Sequence, residues 1–206
     1  MARRPYAGTS RLLRLLLAVA LALVPLAAAW DAPLPTHRRV TRMAGPPVVV
    51  PAKGAHAATV IWLHGLGDSG SGWAPIAHEL DMPHVKWVFP SAGDRPVTLN
   101  GGMRMPAWAD ILGLSLESPE DEEGTMATRN LIHSLIADEM KAGVAANRIV
   151  VGGFSQGAAM ACVAALTHEQ SLAGCFLLSG YLTLRNKISS LLTDGGRATP
   201  FFQALL

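Results

Sequence analysis

Residues 148–157, Arg-Ile-Val-Val-Gly-Gly-Phe-Ser-Gln-Gly, place a short apolar run directly against a Gly-x-Ser-x-Gly pattern. The run has strand length and β-branched content, so it reads as a buried strand. The small residues Ala158, Ala159, Ala161 and Ala164 then read as a helix able to approach the sheet closely. Between them the chain must turn sharply, and Gly153 and Gly157 lack the Cβ atoms that would clash there. This is the pattern of a nucleophile elbow, with the Ser155 hydroxyl exposed at its tip. The competing reading is a glycine-rich turn carrying an inert serine; the strand before and the helix after favour the elbow.

The same strand–helix alternation runs through the chain from residue 56. Ala58–His64 is a short apolar run ended by Gly65, Ser71–Leu80 a short helix, and Val85–Phe89 a strand ended by Pro90. Residues 91–117 show little periodicity and read as a long excursion of the functional kind. Ser118 is expected to cap a helix, with Pro119 at its first position and acids at 120–123. Met126, Leu131, Ile132, Leu135, Ile136 and Met140 give that helix an apolar face, and Gly143 ends it. Strands are expected at Ile149–Phe154, Gly174–Ser179 and Pro200–Leu206, with the elbow helix at Gln156–Leu166. The fold class is therefore α/β, a mostly parallel sheet with helices on both faces.

Half of the 206 residues are apolar and 16% are charged, which excludes a disordered chain. The net charge of +2 is unevenly spread. Seven of 17 basic residues lie in residues 1–42, beside one acid, so residues 43–206 carry 10 basic and 14 acidic residues, a net of −4. That balance argues against a nucleic-acid partner. Residues 1–29 read as a leader: Arg3, Arg4, Arg11 and Arg14 precede an apolar stretch that ends in Ala27-Ala28-Ala29. A secretory signal fits best, an organellar transit peptide fits the arginine content, and an uncleaved anchor is disfavoured by the short run and Pro25. Residues 30–55 read as a Pro-rich basic linker and 56–206 as the folded domain. Cys162 and Cys175 sit in apolar runs and read as buried free thiols. No Cys/His spacing suggests a metal, and no cofactor is expected.

His64-Gly65-Leu66-Gly67-Asp68-Ser69-Gly70 follows the first strand. Backbone N–H groups in such a turn can meet an oxyanion, each worth roughly 3 kcal/mol in acyl transfer. The natural pair is the amide of Leu66 with that of Gln156. A phosphate-cradling loop fits less well, since no Gly-Lys-Ser/Thr follows, and a plain connecting loop is the bland alternative.

This loop, with Arg95-Pro96-Val97-Thr98-Leu99-Asn100, Met105-Pro106-Ala107-Trp108, Asp110-Ile111 and Gly152-Gly153-Phe154-Ser155-Gln156-Gly157, resembles the acyl-protein thioesterase family. That is the lysophospholipase/carboxylesterase branch of the α/β hydrolases. The resemblance runs from about residue 57 to about residue 203. It implies a serine hydrolase that cleaves thioesters of S-palmitoylated proteins and small carboxylic esters in the cytoplasm, whereas the leader suggests the secretory pathway or a membrane tether. It implies Ser155 as nucleophile, Leu66 and Gln156 as oxyanion donors, and Met105, Trp108 and Leu114 along an acyl groove, although Met and Trp in such a loop serve packing equally well.

The resemblance also implies an acid and a histidine downstream of Ser155. The one histidine there is His168, about 12 residues along the elbow helix and so ~18 Å from the turn. Of the acids there, Asp194 lies in a Thr-Asp-Gly-Gly stretch that reads as a surface turn. From about Ala204 the chain departs from the family pattern, so the domain is expected to lack its last strands and helices, with the last strand an exposed apolar edge prone to aggregate. Loss of the histidine costs on the order of 10⁶ in turnover in a serine protease. The chain is accordingly expected to be a nearly inactive hydrolase, or, as an alternative, a non-catalytic isoform that binds acyl groups or lipidated proteins.

Overall fold

A computed structural model describes residues 43–205. The expected leader, and the linker up to residue 42, lie outside the described residues. Among these the elements run β1 (Val48–Val50), β2 (Ala58–Leu63), α1 (Gly70–Trp73), α2 (Pro75–Leu80), β3 (Val85–Phe89), β4 (Asp94–Val97), β5 (Met103–Pro106), α3 (Glu122–Lys141), β6 (Ile149–Phe154), α4 (Gln156–Leu166), β7 (Gly174–Leu178), α5 (Ile188–Leu191), α6 (Asp194–Ala198) and β8 (Phe201–Ala204).

Six strands form one sheet in the order β1-β3-β2-β6-β7-β8. β3, β2, β6, β7 and β8 are mutually parallel, and β1 is antiparallel to β3. Strand alternation divides the core between the two faces. Ile61, Leu63, Ile149, Val151, Cys175 and Leu177 pack with Ile132 and Ile136 of α3 and the small residues of α4. Trp62, Trp87 and Phe89 pack on the other face with Trp73, Ala74, Ile76 and Ala77. Every residue of α4 from Gln156 to Ala165 is buried, which is why its sequence is Ala-rich: larger side chains would hold it off the strands.

Four sequence expectations are corrected. The domain begins before residue 56, because the apolar Val48–Val50 run inside the expected linker pairs with β3 in register Val48↔Phe89. The Ser71–Leu80 helix is two helices, since Pro75 has no N–H to continue the first. The long excursion contains an antiparallel hairpin, β4–β5, as a separate two-stranded sheet. The long helix starts not at Ser118 but at Glu122, capped by Asp121. Ser118 bonds Ser115 instead. Asp121 wins because its carboxylate accepts from Gly124 N and Asp110 N and pairs with Arg95, joining the helix start to the excursion.

The other boundaries agree with the sequence to within two residues. Gly143 follows α3 with φ +97°, as a helix terminator should. Both cysteines are free and buried. Burial pushes the Cys162 thiol up to about 11 and Cys175 further in the same direction.

Candidate active site

The C-terminal ends of β2 and β6 lie side by side, with Leu63 opposite Gly153. The loop after β2 and the turn after β6 therefore leave the sheet at the same edge. In parallel α/β sheets that edge is where ligands bind. The approach is close enough to exclude side chains. A Cβ on Gly153 would lie 2.6 Å from the Leu63 carbonyl oxygen, and one on Gly157 would lie against that oxygen and 2.5 Å from the oxygen of His64.

Ser155 stands at this junction with φ +51° and ψ −116°, a conformation rarely adopted by an L side chain. It is the N-cap of α4, yet its side chain makes no capping hydrogen bond. Its own N–H donates to Leu178 O at 2.9 Å. The turn is thus pinned through the backbone, while the half-buried hydroxyl is left uncommitted at the positive end of α4.

Around it, the amides of Leu66 and Gln156 have no acceptor among the described residues, whereas Gly67 N bonds Pro106 O and Asp68 N bonds Gly65 O. Two free donors from the two adjoining turns are what an oxyanion site needs.

The Gln156 side chain is almost wholly buried and spans the gap to the 107–110 segment. Its Oε1 accepts from Trp108 N at 2.9 Å and its Nε2 donates to Ala109 O at 2.8 Å. This amide is a feature the sequence reading missed. The signal was there: a glutamine inside an otherwise apolar turn and helix must find partners for both ends of its amide.

Of the three expected groove residues, Met105 is half-buried beside the loop, its sulfur 3.9 Å from where a Gly67 Cβ would stand. Trp108 is a correction. It is 0% exposed and lies behind the loop, its indole Nε1–H donating to His64 O at 2.9 Å, so it offers no surface to a substrate. Leu114 is 82% exposed.

No described histidine is hydrogen-bonded to Ser155. His64 is the one at this edge of the sheet, and both its ring nitrogens are engaged: Nδ1 with Gly65 O at 2.7 Å, and Nε2 accepting from Ala92 N at 3.0 Å. Burial holds its pKa below the ordinary histidine value. His133 bonds Ala164 O and packs edge-on against His168, near the far end of α4. His56 bonds Thr59, near the opposite end of β2. His78 and His84 are exposed on α2 and the loop before β3. His37 lies outside the described residues. Asp194 is exposed too, but it opens α6 behind a Thr193 cap rather than occupying a surface turn. Gly195 and Gly196 press that helix against the end of α4, where a Cβ would meet the backbone of Glu169 and Leu166. Among the described residues no group of His, Cys, Asp and Glu could hold a metal ion.

The sequence profile of the phospholipase/carboxylesterase family matches residues 44–205. An acyl-protein thioesterase 1 of Yarrowia lipolytica is 46% identical over 164 residues, covering 77% of this chain and 72% of the relative. One of Schizosaccharomyces pombe is 44% identical over 154 residues, covering 74% and 69%. Among solved structures, an acyl-protein thioesterase 2 of Zea mays superposes with a TM-score of 0.69 at 33% identity, covering 77% of this chain and 74% of that one.

Proposed function

The chain belongs to the phospholipase/carboxylesterase family and carries its α/β-hydrolase fold, and on that premise we propose that it is a serine hydrolase of acyl esters and thioesters, with Ser155 as nucleophile. The observation that carries the reading is the strained, uncapped serine beside the free amides of Leu66 and Gln156. Ser155 Oγ attacks the acyl carbonyl, and the two amides donate to the oxygen on which charge develops. The relatives named acyl-protein thioesterases direct the substrate proposal to S-acylated proteins. Met105, beside the loop, and the exposed Leu114 are the side chains proposed to meet the acyl chain.

The base is the weak point of this site. The hydroxyl has no histidine partner among the described residues, so turnover is proposed to fall well below the ~1–1000 s⁻¹ usual for enzymes. The experiment is hydrolysis of p-nitrophenyl acetate by the 206-residue chain. The expected result is a slow rate that Ser155→Ala removes and that added imidazole raises only when Ser155 is present. A rate equal in Ser155→Ala overturns the reading. The absence of a histidine partner for Ser155 among the described residues favours one second reading, a protein that holds acyl groups without cleaving them. That reading gains if a fatty acyl ligand binds while no Ser155-dependent hydrolysis occurs.

Membrane contact through the leader is a further part of the proposal. Met43, the first described residue, bridges Ala92, whose N–H bonds His64. No helix among the described residues is long and apolar enough to cross a membrane. Flotation with anionic vesicles by the full chain, lost on removing residues 1–42, is the expected outcome. Recovery of the full chain in the cytosolic fraction would instead support the placement implied by the family resemblance.

A further inference from the structure

We propose that Trp108 is a positioning residue that sets the spacing between the two oxyanion donors. The proposal rests on the acyl-transfer reading of Ser155. One donor, the amide of Gln156, begins α4; the other, the amide of Leu66, belongs to a loop from a different strand. The pairing of β2 with β6 sets Leu63 opposite Gly153, but beyond it the two turns run separately. A hydrogen-bonded strut joins them. The Gln156 side chain holds Trp108 N at 2.9 Å and Ala109 O at 2.8 Å. The Trp108 indole N–H then holds His64 O at 2.9 Å. His64 is two residues before Leu66, and its own ring closes back on Gly65 O at 2.7 Å.

The strut is anchored at its far side as well. Thr128 Oγ1, on α3, donates to Trp108 O at 2.6 Å. The His64 and Trp108 rings lie 4.9 Å apart, and Ala92 N donates to His64 Nε2 from a third segment. Gln156, Trp108, His64 and Thr128 are each 0–1% exposed. Water cannot take the place of a lost bond there, so removing one leaves a buried group unpaired and frees the loop to shift. Oxyanion donors act only when they sit where charge develops, and loosened support is enough to lose part of their effect.

The test is single-turnover acylation of Ser155 in the full chain, read as p-nitrophenolate release from an ester and from its thiono counterpart. Charge builds on oxygen in the first and on sulfur, a larger and weaker acceptor, in the second. Trp108→Phe keeps an aromatic ring and removes the N–H. It should slow acylation by the oxygen ester roughly 10-fold, short of the 10²–10³ for outright loss of a donor, and change the thiono rate far less. Gln156→Met, which removes the other end of the strut, should give the same selective loss even if Trp108→Phe folds poorly. The double variant should lose little more than either single one, because both break one strut.

Equal losses for oxygen and sulfur esters, or fully additive losses, would mean a general structural role and overturn the inference. So would unchanged oxygen-ester acylation in both variants while Ser155→Ala still abolishes it. Wild-type acylation that survives Ser155→Ala would overturn the functional reading itself, and this inference with it.

Discussion

The N–H of Ser155 donates to the carbonyl of Leu178 at 2.9 Å, so the strained turn after β6 is tied to the end of its neighbour β7. The bond holds a serine at φ +51°, where only glycine is at ease. Ser155→Gly should therefore stabilise the protein, by about 1 kcal/mol, while removing the nucleophile. Ser155→Ala keeps the Cβ and should leave stability nearly unchanged. Urea unfolding of the three proteins checks this; a Gly variant less stable than wild type would mean that the turn stores no strain.

Gly157 has the opposite sensitivity. A methyl there meets the carbonyls of Leu63, the last residue of β2, and of the buried His64 beside it, which cannot step aside. Gly157→Ala should cost about 3 kcal/mol or more, the upper range for overpacking. Gly45→Ala, with nothing within 4 Å, is the control. A midpoint for Gly157→Ala within error of the control would contradict the close approach of α4 to β2.

Stability should fall on mild acidification. Burial lowers the pKa of His64 below its ordinary value, against a smaller opposing effect of its bond to Gly65 O and of Asp68. Burial does the same to His133, with His168 and Arg129 adding to it and the Ala164 carbonyl and Glu169 opposing it. Below the ordinary histidine pKa of about 6.5 the unfolded chain takes up protons that the folded chain resists, so unfolding gains. The Tm should hold between pH 8 and 7 and drop between pH 6.5 and 5, less steeply in His133→Gln. A Tm that rises over the acid interval would refute this.

Glu139 on α3 is buried, with Lys86 Nζ at 2.6 Å, Thr59 Oγ1 donating at 2.8 Å and His56 Nε2 at 3.8 Å. Glu139→Gln keeps the shape and strands the Lys86 charge. Because Lys86 is a quarter exposed, the cost should be about 2 kcal/mol rather than the 3–5 of a fully buried pair. Lys86→Met in the same background should recover part of it. No change in the unfolding midpoint would mean that the pair is idle.

The parts of the fold that local chemistry dictates were legible in the sequence. Ile149–Phe154 and Gln156–Leu166 have the predicted bounds, because β-branched content, paired glycines and small residues each force the same local answer. What escaped was decided at a distance. Asp121 outcompetes Ser118 as helix cap through Arg95 and Asp110, both remote in sequence. The Val48–Val50 run looks like linker until β3 offers it an edge. Trp108, in a motif that suggested a groove wall, is turned inward by His64 O, and nothing in its neighbours' sequence announces that bond.

The central claim is that Ser155 sits in a site built for acyl transfer, and covalent labelling tests it most directly. The full chain is incubated with a fluorophosphonate and the adduct located by peptide mass. Even with no histidine bonded to Ser155 among the described residues, the site should react preferentially, since oxyanion donors and binding leave about 10³–10⁴ over water. The account predicts one phosphonylated serine, Ser155, and none in Ser155→Ala. Adducts spread evenly over surface serines, or none at Ser155 after prolonged exposure, would contradict it.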